Sequence, residues 1–270
     1  MISDFSVLMS IYSKENARYF DKAMASIWDE QTVRPNEIIL VEDGRLTDDL
    51  YISISQWKEK IGSTFRTISL KKNFGLGKAL NIGLKECSYK LIARMDTDDI
   101  AVPNRFQIQV DFMERHPDVS VSSGVIEEWN EDMTKMLHLR YLPMDHESIF
   151  KFAKSRCPIS HPAVIYRKSA IQCVDGYPDI YPEDYPLWSN LLQNGFKFGN
   201  TSDVLVKMRV GEALVSRRGL NFLKGEIKIF KFQKQIGFIN SYEFFRNISQ
   251  RLVLRLSPVF VKRLLYRFIR

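Results

Sequence analysis

Short apolar runs alternate with amphipathic segments through the first third of the chain. Buried strands are predicted at four of these runs, residues 5–12, 38–41, 65–70 and 91–93. Apolar residues recur at spacings of three and four from Ala17 to Trp28, which is typical of an amphipathic helix. Further helices are predicted over 51–60 and from Asn73 onward. Strands that alternate with helices in this way indicate an α/β domain built on a mainly parallel sheet.

The same kind of pattern continues in the second half of the chain. The elements predicted there are a helix over 103–115, a strand over 119–126, a strand over 163–166 and a helix over 187–192. Pro158 and Pro162 come directly before the second of these strands, and they predict an irregular loop from Cys157 to Pro162.

Carboxylates are crowded where the fourth predicted strand ends, at Asp96, Asp98 and Asp99. Like charges this close raise one another's pKa, so the arrangement persists most easily where a divalent cation compensates the charge. Oxygen ligands suit Mg²⁺ or Mn²⁺, which also bridge to substrate phosphates. The alternative is a solvated acidic loop in which Asp99 or Asn104 caps the next helix.

A second acidic segment, Glu42-Asp43-Gly44, follows the second predicted strand. Open parallel sheets bind ligands at the carboxyl ends of their strands, so both acidic segments are expected in one nucleotide-binding crevice. The segment from Asn73 to Lys78 contains Gly-x-Gly-Lys but lacks the spacing of a P-loop. Lys78 either reaches an anionic ligand from a helix N-terminus or is simply solvated.

Composition and charge narrow the class of protein. The 270 residues are 45% hydrophobic and 26% charged, as in ordinary globular proteins. The net charge of the whole chain is +7, and residues 211–270 alone carry +10, so residues 1–210 carry −3. This negative charge argues against nucleic-acid binding by the main body. Three cysteines without metal-site spacing fit a reducing cytosol. Since no secretory signal and no apolar run of about 18 residues is present, we expect action from the cytosolic side.

The last residues predict an amphipathic helix with an unusual polar face. From Phe260 to Arg270, apolar side chains take one half of a helical wheel and every charge on the other half is positive, with Pro258 as a helix start. Such a helix suits the surface of an anionic membrane, although a packed terminal helix is an alternative. We therefore expect a main domain over 1–210 and a basic, helical, membrane-associating region over 211–270.

Four motifs in order resemble the family 2 glycosyltransferases with the GT-A fold, in particular the bacterial enzymes that build O-antigen, capsular and exopolysaccharide chains. They are Ser6-Val7-Leu8-Met9-Ser10-Ile11-Tyr12, Val41-Glu42-Asp43-Gly44, Asp96-Thr97-Asp98-Asp99 and Glu183-Asp184-Tyr185-x-Leu187-Trp188. The resemblance implies a Rossmann-like mixed, mainly parallel sheet flanked by helices. It also implies a donor half over 1–102 and an acceptor half over 103–210.

The resemblance assigns roles in the donor half residue by residue. Ser10, Tyr12 and Asp43 match the residues that hold the uracil and ribose of a nucleotide-sugar donor. Asp96, Asp98 and Asp99 match the Asp-x-Asp element, with Asp98 on Mn²⁺ or Mg²⁺ and Asp96 on the ribose or a metal-bound water. Many members have a His where this chain has Gly211, which puts a third protein ligand to the metal in doubt.

In the acceptor half, Asp184 matches the catalytic base. A sugar hydroxyl must lose a proton as it attacks the anomeric carbon, and a carboxylate is the usual acceptor of that proton. The alternative is that Glu183 and Asp184 merely cap the helix that follows. Possible contacts to the acceptor or the diphosphate are His161, Glu183, Arg209, Arg217 and Arg218, where His161 is otherwise structural and the arginines are otherwise solvated.

Two functions of different classes follow. The first is an inverting, metal-dependent transferase that moves one sugar from a nucleotide-sugar, a UDP-hexose or UDP-HexNAc, to a lipid-linked polyprenyl-diphosphate saccharide at the cytoplasmic membrane face. The second is a catalytically inactive module that binds a nucleotide-sugar or a polyanion. The first is favoured because the acidic turn and the candidate base are both intact. The identity of the sugar depends on loops that the pattern does not place.

Overall fold

The computed structural model describes residues 3–211 and 220–256, without the side chains of residues 220, 221, 254 and 256. The strands are β1 (Phe5–Ile11), β2 (Glu37–Glu42), β3 (Phe65–Ser69), β4 (Leu91–Arg94), β5 (Ile100–Ala101), β6 (Val119–Trp129), β7 (Met136–Arg140), β8 (Ile165–Arg167) and β9 (Lys197–Arg209). The helices are α1 (Ala17–Trp28), α2 (Asp48–Ile61), α3 (Leu76–Glu86), α4 (Arg105–Arg115), α5 (His146–Ala153), α6 (Lys168–Gln172), α7 (Asp184–Gln193), α8 (Leu220–Gln235) and α9 (Ser241–Leu256). Single 3-10 turns cover Gly62–Thr64 and His161–Ala163.

All of these strands belong to one sheet, in the order β3-β2-β1-β4-β8-β6-β9-β5, with β7 paired to β6. The first four strands along the chain pair in parallel, as the strand and helix alternation predicted. Beyond β4 the pairing is mixed, because β8 is antiparallel to both β4 and β6 whereas β6 and β9 are parallel. The carboxyl ends of β1, β2 and β4 therefore lie side by side at one edge.

The sheet is covered on both faces, which explains why its strands are continuous apolar runs. Alternate residues of β1 point to opposite sides. Val7 and Met9 join the core cluster that includes Phe20 of α1, whereas Leu8 joins the cluster that includes Leu80 of α3 and Trp188 of α7. The parallel strands are thereby fixed in register, and the side chains that follow them are fixed with them.

Most element boundaries agree with the sequence-based prediction, and two departures have a clear cause. Helix α2 begins at Asp48 rather than at Tyr51, because the Thr47 side chain caps it by accepting the backbone N–H of Leu50. The chain forms a 3-10 turn from His161 to Ala163, so the strand predicted from Ala163 starts only at Ile165. The long strand β9 was not predicted, although Val204, Leu205 and Val206 gave an apolar signal for it.

The C-terminal region is described only in part. Helices α8 and α9 pack on each other and α8 packs on α7. The amphipathic tail from Pro258 to Arg270 lies outside the described residues, as do Arg217 and Arg218. Within 3–211 and 220–256, no helix combines the length and the apolar character needed to cross a bilayer.

Candidate active site

A cavity of about 280 Å³ opens at the carboxyl ends of β1, β2 and β4. Its lining residues are Ser10, Tyr12, Glu15, Asp43, Asn73, Gly75, Leu76, Asp96 and Thr97. Four of the residues expected to contact the donor, Ser10, Tyr12, Asp43 and Asp96, thus lie around one space. They come from three strand ends, and the parallel register of β1 with β2 and β4 brings them together.

Asp43 fixes the loop that forms one wall of this cavity. Its two carboxylate oxygens accept the backbone N–H groups of Phe74 (2.7 Å) and Gly75 (2.9 Å). The loop approaches so closely that a Cβ on Gly44 would lie 2.7 Å from the backbone nitrogen of Asn73, and Gly44 has a φ of 90°. Only glycine fits this position without strain. The motif Val41-Glu42-Asp43-Gly44 therefore shapes the wall of the cavity.

Lys78 lies outside the set of residues that line the cavity. Its ammonium group is 2.7 Å from the carboxylate of Asp179, and both side chains are exposed. An exposed pair of this kind contributes little to stability. A donor contact by Lys78 remains a prediction, and it would require the pair with Asp179 to open.

The acidic turn is anchored at both ends. Asp96 accepts hydrogen bonds from both terminal nitrogens of Arg94, a guanidinium that is only 2% exposed. Asp99 is buried and accepts the backbone N–H of Arg209 at 2.7 Å, while Nε of Arg209 donates to the carbonyl of Asp98 at 3.0 Å. These bonds tie the turn after β4 to the end of β9, and the partly exposed carboxylates of the turn are those of Asp96 and Asp98.

Repulsion within the turn favours a cation. Burial, together with the charge of Asp96, raises the pKa of Asp98 to about 6. Burial and the charges of Asp98 and Asp96 also raise the pKa of Asp99 well above its usual range. A divalent ion would relieve this repulsion, and a set of carboxylate oxygens suits Mg²⁺ or Mn²⁺. The residues present therefore fit such an ion.

The protein supplies only part of the coordination. Among the residues that the structure describes, no group of three His, Cys, Asp or Glu side chains is arranged to hold a metal. Asp98 and Asp96 would therefore hold the ion together with oxygens of the ligand and water, as is usual for Mg²⁺ beside phosphates.

The candidate base lies at the start of α7. Asp184 is the first residue of α7, and its carboxylate is 3.4 Å from the thiol of Cys157, which donates to it. Glu183 occupies the N-cap position but makes no side-chain capping hydrogen bond, so the simple capping role is not seen for it. Glu183 packs on α3 instead, where a Cβ on Gly77 would lie 3.0 Å from the Cβ of Glu183. Neither acid is among the residues that line the cavity, but Gly77 directly follows Leu76, which does line it.

The electrostatics of this pair suit proton transfer near neutral pH. Burial and the charge of Asp184 raise the pKa of Glu183 to about 7, and burial also raises the pKa of Asp184. The guanidinium of Arg94 opposes both shifts and keeps the acids closer to ionisation. A carboxylate poised in this way can accept a proton from an alcohol as the alcohol attacks.

His161 and Arg209 are engaged within the protein. His161 is buried, with Nε2 of its ring 3.0 Å from the hydroxyl of Tyr177, and burial and the charge of Arg94 lower its pKa well below the usual value. His161 also contacts the ring of Trp188 edge-on. The Arg209 guanidinium lies over the ring of Tyr19, 3.8 Å from its centre. Neither side chain lines the cavity, and substrate contacts by them stay predictions.

Two residues of the site were missed in the sequence. Arg94 carries the one charge at the end of an otherwise apolar strand, directly before the acidic turn, and that position was a usable signal. Cys157 gave no such signal, because its contact with Asp184 joins positions 27 residues apart through an irregular loop. A lone cysteine in sequence gives no reason to expect such a contact.

Comparisons with known proteins show what the chain is similar to in sequence and in fold. The model of the family described as "Glycosyl transferase family 2" matches residues 6–174. The chain is 37% identical over 265 residues to the UDP-Gal:alpha-D-GlcNAc-diphosphoundecaprenol beta-1,3-galactosyltransferase of Escherichia coli, covering 97% of this chain and 95% of that protein. It is also 37% identical over 267 residues to the amylovoran biosynthesis glycosyltransferase AmsE of Erwinia amylovora, covering 97% of each.

A solved structure shares the fold. The crystal structure of S. aureus TarS 1-349 in complex with UDP-GlcNAc matches with a TM-score of 0.67 at 18% identity, covering 96% of this chain and 77% of that one. This match confirms the expected GT-A architecture, a mixed sheet with helices on both faces. The expected C-terminal amphipathic tail lies outside the described residues.

Proposed function

This chain belongs to glycosyltransferase family 2, and from that premise we propose that it transfers one sugar from a UDP-sugar to a lipid-linked saccharide, with inversion and with a divalent metal. The observation that carries the proposal is the cavity at the ends of β1, β2 and β4, with the acidic turn on one wall and Glu183 packed on α3, the helix whose first residue lines the cavity. Donor, metal and base would then meet at one place.

The donor is assigned to this cavity by its polar lining. Ser10, Tyr12 and Asp43 are proposed to bind the uracil and ribose, and Asp96 and Asp99 complete the donor side of the acidic turn. The UDP-GlcNAc complex of TarS and the UDP-Gal named for the E. coli relative support a uridine donor. The sugar itself is proposed to be a hexose or an N-acetylhexosamine.

The metal is assigned to Asp98 and Asp96. A bound Mg²⁺ or Mn²⁺ would supply positive charge to the diphosphate that leaves. The chain contributes the orientation of these carboxylates, because Arg94 holds Asp96 and because the neighbouring Asp99 carboxylate accepts the backbone N–H of Arg209 in β9.

Asp184 is assigned as the base that takes the proton of the attacking hydroxyl. Its pKa is raised by burial, and the thiol of Cys157 orients one carboxylate oxygen. One base on the face opposite the leaving group implies a single displacement. The name of the E. coli relative is consistent with this, since the anomeric bond of UDP-Gal is α whereas the product named is beta-1,3.

The acceptor is proposed to be a saccharide on a polyprenyl diphosphate, by analogy with the GlcNAc-diphosphoundecaprenol named for the E. coli relative. Its lipid would keep the reaction at the cytoplasmic face of the plasma membrane. The main domain over 1–210 would carry the chemistry, and 211–270 would hold it at the membrane. Surface polysaccharide biosynthesis is the corresponding pathway class, as the name of AmsE suggests.

The test is transfer of labelled sugar from a panel of UDP-sugars to GlcNAc-diphosphoundecaprenol, with Mn²⁺ or Mg²⁺ and with EDTA. We expect transfer from one donor of the panel, lost with EDTA and restored by excess metal. Binding of UDP without transfer or hydrolysis for any donor would favour the alternative, an inactive nucleotide-sugar-binding module. Transfer that is unaffected by EDTA would remove the metal from the proposal.

A further inference from the structure

The exposed charges of α8 and α9 are of one sign. The exposed basic side chains are Lys224, Lys228, Lys231 and Lys234 of α8 and Arg246 of α9. Between residues 220 and 256 the sequence contains two acids, Glu226 and Glu243, and neither is exposed. Between residues 220 and 256, therefore, all of the exposed charged side chains are positive.

Both acids are engaged inside the fold. Glu226 is buried and accepts two hydrogen bonds from Arg255, each of 3.0 Å, while Nε of Arg251 lies 3.0 Å from the same carboxylate. Glu243 lies 3.0 Å from the ammonium group of Lys154. These ion pairs fasten α9 to α8 and to the main domain. They also remove the only negative charges that would offset the lysines.

An apolar stripe lies on the outer face of α9. Tyr242, Phe245, Leu252 and Val253 are exposed by 74%, 64%, 37% and 62%. At about 100° per residue these four positions fall within an arc of about 100°. The buried Asn247 and the half-buried Arg251 lie on the opposite side of the helix, and Arg246 flanks the stripe. Large apolar side chains rimmed by positive charge are typical of surfaces that bind anionic lipid.

The inner face of α9 holds the segment that leads to the candidate base. The side chain of Asn247 donates to the carbonyl of Lys154 and that of Arg251 to the carbonyl of Ser155, each at 2.7 Å. Two residues farther along, Cys157 contacts Asp184. Helix α9 is therefore attached, through its inner face, to the segment that leads to the candidate base.

Helix α8 approaches the same loop from another direction. A Cβ on Gly225 would lie 2.5 Å from the carbonyl oxygen of Tyr181, two residues before Glu183. Glycine at this position lets the helix backbone pack directly against the loop. Both helices thus join the basic surface to the loops that carry the acidic pair.

We propose that the outer face of α9, flanked by the lysines of α8, lies on an anionic lipid bilayer and presents the acceptor side of the site to it. A second copy of this chain is a poorer occupant, because two such faces would bring like charges together. This proposal rests on the proposed function in one respect only, namely that the acceptor in the bilayer has a lipid anchor. It concerns residues upstream of 257–270 and does not depend on that tail.

The test is sedimentation of the full-length protein with vesicles of phosphatidylcholine alone or with phosphatidylglycerol added, at low and high salt. We expect binding to the anionic vesicles, weakened by salt. The variant Phe245→Glu/Val253→Glu should lose at least about tenfold in binding, since it places charge where the apolar side chains enter the interface. Ile52→Glu is the matched control, because Ile52 is 57% exposed on α2, far along the chain from this surface.

The lysines give an independent measurement. Replacing Lys224, Lys228 and Lys231 by Gln should weaken binding to anionic vesicles by roughly fivefold for each charge, from about 1 kcal/mol per basic residue near the surface. Binding to neutral vesicles should not change. Wild-type protein that fails to bind, or a Phe245→Glu/Val253→Glu variant that binds as wild type does, would overturn the proposal.

Transfer assays separate this proposal from the proposed function. With a water-soluble, short-chain acceptor, the Phe245→Glu/Val253→Glu variant should transfer sugar at the wild-type rate. With undecaprenyl acceptor in anionic vesicles, its rate should fall in parallel with its binding. Equal rates for variant and wild type in vesicles would also contradict the proposal. If wild-type protein transfers to neither acceptor, the proposed function fails, and the sedimentation results still decide whether the surface binds lipid.

Discussion

The donor side and the acceptor side of the cavity differ in how their side chains are held. Ser10 lies near the end of β1, and Asp43 and Asp96 follow β2 and β4, so the backbone hydrogen bonds of this parallel sheet fix their spacing. Glu183 and Asp184 lie where a loop meets the start of α7, and this segment is held by contacts with α3, with Cys157 and with α8. The donor side is thus set by regular structure. The acceptor side depends on contacts between distant segments, which makes it the easier side to vary.

The largest effect is expected on the donor side, at Asp98. We expect Asp98→Asn to lower transfer by about 10³-fold or more, the scale of a lost electrostatic contact to the leaving group. The unfolding temperature should stay the same or rise, because the change relieves repulsion from Asp96. Transfer rate and thermal unfolding measure the two effects, with Asp49→Asn on the exposed start of α2 as control. Retention of most of the activity would exclude Asp98 as a metal ligand.

The next effect is expected on the acceptor side, at Asp184. We expect Asp184→Asn to lower kcat by about 10²-fold or more while the donor Kd stays nearly constant, since a lost base leaves the donor site intact. Calorimetry with UDP and steady-state kinetics give the two values. Glu183→Gln is the companion variant and should retain more activity. If donor binding collapses in Asp184→Asn, that residue belongs to the donor side and the division of roles is wrong.

The buried guanidinium of Arg94 bonds to Asp96 on the donor side and lowers the pKa of both acids on the acceptor side. A smaller effect on activity is expected when it is replaced. We expect kcat of the wild type to rise with pH in a range above that of an ordinary Asp, as the Glu183–Asp184 pair loses its proton, because burial raises the pKa of both acids. Arg94→Met should move this rise to higher pH, because the positive charge of Arg94 lowers the pKa of both acids. Two other groups affect these pKa values. The charge of Asp96 raises the pKa of Glu183, and the hydrogen bond from Cys157 lowers that of Asp184.

Donor binding gives a second readout for the same residue. Arg94→Met should weaken UDP binding by roughly tenfold, since Asp96 loses both hydrogen bonds that orient it. Arg94→Lys keeps the charge and should restore most of the pH profile, but not the donor affinity, because an ammonium group cannot bind both oxygens in the same way. An unchanged pH profile in Arg94→Met would show that the two sides are not coupled through this charge.

The smallest effect concerns the wall of the donor cavity. We expect Gly44→Ala to lower the free energy of unfolding by about 1–3 kcal/mol, because a Cβ would meet the backbone of Asn73. Gly62→Ala is the matched control, since Gly62 also has a positive φ but has nothing within 4 Å of its Cβ position. Chemical denaturation compares the two. Equal losses would mean that backbone conformation alone, and not the close approach, determines the cost.

Several residues around the cavity could be predicted from the sequence for a physical reason. Buried parallel strands are apolar throughout, so the first polar residues after them mark the edge where ligands bind. Asp43 and the turn from Asp96 to Asp99 were found in this way. What the pattern did not reveal is the internal partner of each carboxylate, the backbone of Phe74 and Gly75 for Asp43 and the guanidinium of Arg94 for Asp96.

The acceptor side could be predicted only in part. The motif at Glu183 and Asp184 identified the carboxylates, but their raised pKa values depend on burial by segments far away in the chain. The role of His161 could not be assigned from the sequence either. The sequence does not distinguish a buried, neutral imidazole bonded to Tyr177 from an exposed one. Contacts across irregular loops leave no periodic signal.

The most direct test of the account is the configuration of the bond that the enzyme makes. The product of transfer from an α-linked UDP-sugar to GlcNAc-diphosphoundecaprenol is isolated, and the coupling constant of its new anomeric proton is measured by NMR. A single displacement with Asp184 as base predicts a β linkage. An α linkage would contradict it, because retention requires a different mechanism and leaves no role for one base on the face opposite the diphosphate.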